Sequence, residues 1–213
     1  MTRFEDALTA QEREELGQLT TPFRIQAFLD SIPYNGDDRN RSPLGVISER
    51  ESHCYDGGLL AAALLRRLGY PPLVMEMWPE PGLDDDHVLA VYQIDRHWGA
   101  LGKSNYANLR FREPIFRTLR ELVMSYFEDF FNSEGQKTLR SYTRPLNLRR
   151  YDRQGWEVDE RTVDAIEKHL HRLRVYPVLS AQQAANLSPV DERALRAGMY
   201  GTDPQGLFKK KPD

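Results

Sequence analysis

The chain has one cysteine, Cys54, among its 213 residues. That excludes an intramolecular disulfide, and with it a disulfide-stapled scaffold or a cysteine-rich zinc module. Long apolar runs are also missing. The longest, residues 59–65, is far shorter than the roughly 20 residues a bilayer-crossing helix needs. The opening MTRFEDALTA has no apolar signal core, so the expected address is the cytoplasm, where a lone thiol stays reduced. Neither sign of charge dominates: 29 Lys and Arg face 32 Asp and Glu, a formal net charge of −3. Charge therefore directs the chain to neither nucleic acid nor membrane. The basic end Lys209-Lys210-Lys211 reads as a solvated tail. There is no internal repeat, Walker-type loop or dinucleotide fingerprint, and Gly57-Gly58 alone carries no phosphate-binding information. Nothing marks an oligomeric state.

What is present reads as a globular chain, 40% hydrophobic and 29% charged, long enough to bury a core in one domain with appendages. The division expected is a core over residues 20–135 and a C-terminal helical extension with a flexible tail over 136–213. Thr9 with Glu12 is a capping box for a helix to about Leu19. Thr21-Pro22 opens a second helix. Residues 35–43 are polar and turn-rich. Residues 73–78 and 87–94 read as strands, with a hairpin at Asp95-Arg96-His97 and a return over 98–101. The apolar spacing over 114–131 predicts a long amphipathic helix. Asp159 caps a helix of about fifteen residues, and Ser188-Pro189 opens another. Of the tryptophans, Trp78 reads as core and Trp98 as either core or cleft.

The most informative stretch is HCYDGGLLAAALLRRLGYPP. Residues 59–65 are strong helix formers and nearly all apolar, so that helix is buried on most faces. Gly69 and Pro71-Pro72 end it. Cys54 falls in its first turn, where the helix dipole and free N–H groups favour a thiolate and can hold a developing oxyanion. Gly57 and Gly58 each cost a helix about 1 kcal/mol relative to Ala. Their place one turn after the cysteine points to close approach by another segment or a ligand. The bland alternative is a structural core cysteine with glycines for tight packing.

A thiolate needs a base and a proton donor, and histidine serves as both. His87 opens the second strand after the cysteine helix and is the first candidate. His53 adjoins the cysteine, but adjacent side chains point apart. His97 falls at a turn, and His169 and His171 cannot share a helix face. A third group would orient the imidazole. The returning strand reads WGALGKSN, making Asn105 the first choice, Ser104 the second and Asp95 a distant third. The run Asp84-Asp85-Asp86-His87 offers metal-ligand types, which His53 and Cys54 could join. Strand neighbours alternate in direction, so four in a row cannot converge on one ion. A solvated acidic loop is the simpler reading, and no metal or cofactor is expected. Mixed basic and aromatic residues over 146–151 read as solvated surface rather than a nucleic-acid site.

Together these residues resemble the transglutaminase-like superfamily, with its papain-like cysteine fold. Cys54, Gly58, Leu64, Leu65, Arg67 and Gly69 stand in the order of the family's cysteine helix, and His87 and then Trp98 follow in order. The resemblance covers roughly residues 45 to 110. It also extends to an uncharacterised bacterial branch with similar cysteine-helix and WGALGKSN-like blocks. One departure stands out. The family's Asp is expected about four residues after the strand tryptophan, where this chain has Gly102, and no acid follows until Glu113.

The resemblance implies an α+β fold: a cysteine-bearing helix packed on a small antiparallel sheet, with additional N- and C-terminal helices. It implies a cysteine hydrolase, peptidase or acyltransferase acting on an amide bond of a peptide or protein substrate. Cys54 would be the nucleophile, His87 the acid–base, and Asn105 or Ser104 the orienting group. Two other readings stay open: an inactive interaction module of the same fold, and a metal-dependent hydrolase.

Overall fold

A computed structural model describes residues 3–209. Lys210 and Lys211 of the basic end, and Met1 and Thr2 of the opening segment, lie outside the described residues.

The N-terminal third builds a helical layer. After a short α1 (Arg3–Ala7), Thr9 and Glu12 exchange reciprocal side-chain bonds that start α2 (Ala10–Gly17). Thr21 caps α3 (Pro22–Ser31), which has proline in its first turn, where the missing N–H costs nothing. The polar connection at 35–42 is non-helical, and α4 (Pro43–Glu49) begins at its end: Ser42 accepts the Gly45 N–H, and Pro43 sits just inside the start. Next comes α5 (Cys54–Arg67), in which every residue of 59–65 is at most 1% exposed. Each buried leucine there stabilises the fold by about 1.5–3 kcal/mol. Gly69, at φ +93°, closes this helix in the left-handed conformation that favours glycine.

Strand β1 (Leu73–Pro79) runs antiparallel to β2 (His87–Ile94). β2 turns through Asp95 and Arg96, at φ 48° and 65°, into β3 (His97–Leu101). Positive φ at both central residues matches the turn to the twist of the hairpin. The long helix expected over 114–131 does not form. β4 (Arg112–Phe116) instead pairs with β3, placing Phe116 opposite Trp98. Only α6 (Leu119–Met124) is helical, and turns follow it. The apolar residues Leu122, Val123, Tyr126 and Phe130 are still fully buried, so burial rather than helical period accounts for their spacing.

The segment read as a helical extension contributes three strands. These are β5 (Leu139–Thr143), β6 (Leu146–Asn147) and, after α7 (Glu160–Leu170), β7 (Val175–Pro177). Asp159 caps α7 as expected. The last helices are α8 (Ala181–Ala185) and α9 (Glu192–Gly198). Helix α9 starts from Asp191, which accepts the Arg193 and Ala194 N–H groups, and not from Ser188. Val190 is held back by its N–H bond to the Gly135 carbonyl.

All strand pairs are antiparallel. The sheet has seven strands, larger than expected, in the order β4-β3-β2-β1-β5-β7, with β6 also on β1. Strand alternation divides the core in two. Val74, Val88, Ala90 and Tyr92 face α5. Met75, Met77, Leu89 and Val91 face the α6 side. The fold is thus α+β, with the cysteine-bearing helix packed on an antiparallel sheet. No described helix is long and apolar enough to cross a membrane.

Candidate active site

Cys54 is the first residue of α5, and His53 is its N-cap. The His53 Nδ1 accepts the Tyr55 N–H at 3.3 Å. That fixes its tautomer, and its Nε2 lies 3.2 Å from the Arg39 carbonyl oxygen. His53 is therefore spent on holding the helix start. Asp56, fully buried one turn in, accepts the Arg41 N–H at 2.8 Å. The Arg41 side chain, 1% exposed, also reaches Asp37, Glu49 and Glu51. This buried cation shared among carboxylates ties the start of α5 to the segment before it.

His87 opens β2 and is 4% exposed. Its Nε2 lies 2.7 Å from the Leu109 carbonyl oxygen. A carbonyl can only accept, so Nε2 carries the proton, leaving Nδ1 of the neutral ring as an acceptor. Burial lowers its pKa to about 4, against a smaller upward pull from the Leu109 carbonyl. The ring is thus in its base form at neutral pH. The Cys54 Sγ points to the Asp86 carbonyl at 3.6 Å. Burial, and next the Asp86 carboxylate, push the thiol pKa up, while the Val88 N–H works the other way. The expected lowering by the helix N-terminus is outweighed in this closed site. Cys54 as a residue is half-buried.

Cys54, His87, Ser104 and Asn105 all line one cavity of about 40 Å³. Tyr34 also lines it, brought beside α5 by its bridge to Ser52, and its hydroxyl faces the Cys54 backbone. The other wall is the chain's own C-terminal segment, through Gly206 and Phe208. The cavity is about the size of one or two waters, too small for a peptide side chain. A more open cleft of about 500 Å³, bounded by Arg144, Asn147, Arg150 and Leu173, shares no lining residue with it. That cleft holds no nucleophile or acid–base pair, so its larger volume does not make it the better site.

The imidazole is held by Leu109, a backbone group. Asn105 makes a two-way bond with Asp203: its Nδ2 donates to the Asp203 carbonyl at 2.9 Å, and its Oδ1 accepts the Asp203 N–H at 2.8 Å. Ser104 Oγ accepts the Tyr106 N–H at 3.0 Å. Asp95 sits in the hairpin turn at the far end of β2. Gly102 explains the missing carboxylate. A Cβ there would lie 2.7 Å from Leu89 Cδ2, 3.1 Å from His87 Nε2 and 3.2 Å from the Leu109 oxygen. The space a side chain would need is taken by the imidazole and its carbonyl partner.

The glycines after the cysteine meet the close approach their positions implied. A Cβ on Gly57 would lie 2.2 Å from Lys103 Cβ, and one on Gly58 would lie 2.9 Å from Val88 Cγ1. Lys103 is itself buried, and its ammonium donates to the Leu29 carbonyl at 3.0 Å and to the Ile32 carbonyl. The cysteine helix is thus pressed directly onto the WGALGKSN return. Sequence reasoning missed Leu109, whose contribution is a backbone carbonyl, and Gly206 and Phe208, which lie far along the chain. Tyr34 had a weak signal as an aromatic in a polar connection.

No protein-family model matches the chain, and no curated protein matches it. Solved structures do. A protein provisionally described as a cysteine protease from Cytophaga hutchinsonii is 21% identical over 46% of this chain and 37% of its own, with a TM-score of 0.37. LapG from Legionella pneumophila is 15% identical over 46% of this chain and 65% of its own, at 0.36. An EGTA-treated form of LapG is 12% identical over 78% and 92%, at 0.42. The chain therefore spans less than two thirds of the first two structures. At these values the likeness assigns no activity.

Proposed function

We propose that this protein is a transglutaminase-like cysteine hydrolase or acyltransferase that acts on an amide bond of a peptide or protein. The observation that carries the reading is that Cys54, first residue of a buried helix, and His87, first residue of a strand, line one small cavity. In the proposed reaction the His87 Nδ1 takes the thiol proton as the Cys54 sulfur forms a bond to the amide carbonyl carbon. The oxyanion is met by the Cys54 N–H, with the Tyr34 hydroxyl close to the same backbone. Collapse breaks the C–N bond, and the imidazolium gives its proton to the leaving amine. Water or a second amine then releases the thioester. The Leu109 carbonyl supplies the orientation that a side chain supplies in other triads. In this reading Ser104 and Asn105, which line the cavity, would contact substrate once it opens. A thiol nucleophile works only where it stays reduced, which favours the cytoplasm.

One observation favours a second reading, an inactive interaction module: the C-terminal segment closes the cavity. The two are separated by incubating the protein with a diverse peptide mixture and sequencing the products by mass spectrometry. New termini or cross-links that vanish in both Cys54→Ala and His87→Ala support the enzyme. An unchanged mixture, from protein whose Cys54 is demonstrably accessible, supports the module.

A further inference from the structure

From the side chains at the α7 end of β1, we infer a divalent-metal site formed by Glu76, Asp86 and His171, adjoining the cysteine cavity that Asp86 also lines, that takes a transition ion of the zinc or manganese class. One ligand atom from each residue lies within 4.8 Å of the other two. The His171 Nε2 is 3.2 Å from Glu76 Oε1. Three donors about 2.1 Å from one ion stand about 3.4–3.6 Å apart, so a pair at the 4.8 Å limit must close by roughly 1.2 Å on binding.

Proximity of acids alone would carry little. The second observation is the state of Glu76. It is 1% exposed, on the central strand, and its Oε2 is buried with no hydrogen-bond partner. A buried carboxylate oxygen facing a second carboxylate is costly unless a cation or a proton joins them. Among the described residues, His171 is the basic side chain paired with Glu76.

The fold explains the convergence. Glu76 stands opposite Val88 in the β1–β2 register, so both face the helical layer. Asp86, two residues before Val88, falls on that same side by strand alternation. Its neighbour His87 is held instead against the Leu109 carbonyl. Of the run Asp84-Asp85-Asp86-His87, only Asp86 joins the cluster, so the alternation that forbids the run from binding an ion as a unit still delivers one member. Helix α7 ends at its C-cap His171. The Trp78 ring meets the imidazole edge-on, with centroids 5.2 Å apart at 67°, and steadies its orientation. The Glu76 backbone is fixed through its N–H bond to Thr143 Oγ1 at 3.0 Å. Two carboxylates and an imidazole make an oxygen–nitrogen set, which suits zinc or manganese better than calcium or magnesium. The exposed side of His171 leaves room for water to complete the shell.

The test uses the full chain carrying Cys54→Ser, so that the thiol cannot contribute a ligand. After treatment with chelator and its removal, Zn²⁺ and Mn²⁺ are titrated by calorimetry, and bound metal is counted after desalting. One ion per chain is expected, with affinity falling at least about tenfold in His171→Ala and in Glu76→Gln. Circular dichroism in chelator checks that each variant is folded. If Glu76→Gln is not, the surface variant His171→Ala decides. Absence of binding by either ion, or binding that His171→Ala leaves unchanged, overturns the site.

Discussion

The His87 Nε2 lies 2.7 Å from the Leu109 carbonyl oxygen, and this contact sets what the imidazole can do. It assigns the proton to Nε2 and leaves Nδ1 as the only basic position. The partner is neutral, so it orients the ring without the electrostatic support a carboxylate would give a forming imidazolium. Room for the contact depends on Gly102. Gly102→Ala is expected to displace the imidazole and to destabilise the fold by about 1–3 kcal/mol, the usual cost of overpacking. Urea denaturation and the His87 ring resonances check both effects. A variant with wild-type stability and unshifted resonances would show that this space is not required.

Gly57→Ala sets two known effects against each other. Helix propensity alone favours alanine by about 1 kcal/mol. The new methyl would lie 2.2 Å from Lys103 Cβ, which is near-backbone and cannot swing away. The clash wins, and a net loss of roughly 1–3 kcal/mol is expected by chemical denaturation. A stabilised variant would contradict the packing of α5 on the 101–105 return.

Lys103 makes stability depend on pH with a definite sign. Burial lowers its pKa from 10.5 to about 8, against an upward pull from Asp30. Between about pH 8 and 10.5 the unfolded chain holds a proton that the folded chain has released, so stability rises with pH across this window. The burial cost is fully present below pH 8 and gone above 10.5. It amounts to at most roughly 3 kcal/mol. Urea midpoints at pH 7.5, 9 and 10 are expected to rise less in Lys103→Met than in the wild type. Equal slopes would mean that the ammonium is solvated.

Asn105→Ala distinguishes two roles for one side chain. If Asn105 mainly holds Asp203, its loss frees the segment carrying Gly206 and Phe208 and opens the cavity. Cys54 alkylation is then expected to accelerate several-fold. If Asn105 instead orients His87 in the working state, alkylation slows. Intact-mass labelling against time reads the difference directly, because the chain has one thiol.

Some of this was legible in the sequence for identifiable reasons. The α5 helix carries its own signals: unbroken apolar helix formers and a glycine stop. Gly57 and Gly58 announced a close approach because nothing else justifies them in a helix, although Lys103 and Val88 as the approaching residues could not be named. The 114–131 segment misled because Leu122, Val123, Tyr126 and Phe130 have helical spacing, yet β4 takes residues 112–116 into the sheet and Ser125 caps α6 by bonding its Oγ back to the Leu122 carbonyl. Strands β6 and β7, at two and three residues, are too short to carry a pattern. The partner of His87 was not legible because a backbone carbonyl has no side-chain signature. The closing segment at 203–208 was invisible for another reason: its contacts, to Asn105 and Tyr34, are all distant in sequence.

The most direct test of the Cys54–His87 pair is the rate of Cys54 alkylation by iodoacetamide at neutral pH, with and without His87→Ala. It is measured in the wild-type chain and in Asn105→Ala, the variant expected to open the cavity. If His87 Nδ1 takes the thiol proton, His87→Ala slows labelling at least about tenfold in the open background. Equal rates with and without the imidazole, in protein of equal stability, would contradict the pair and leave Cys54 a core thiol.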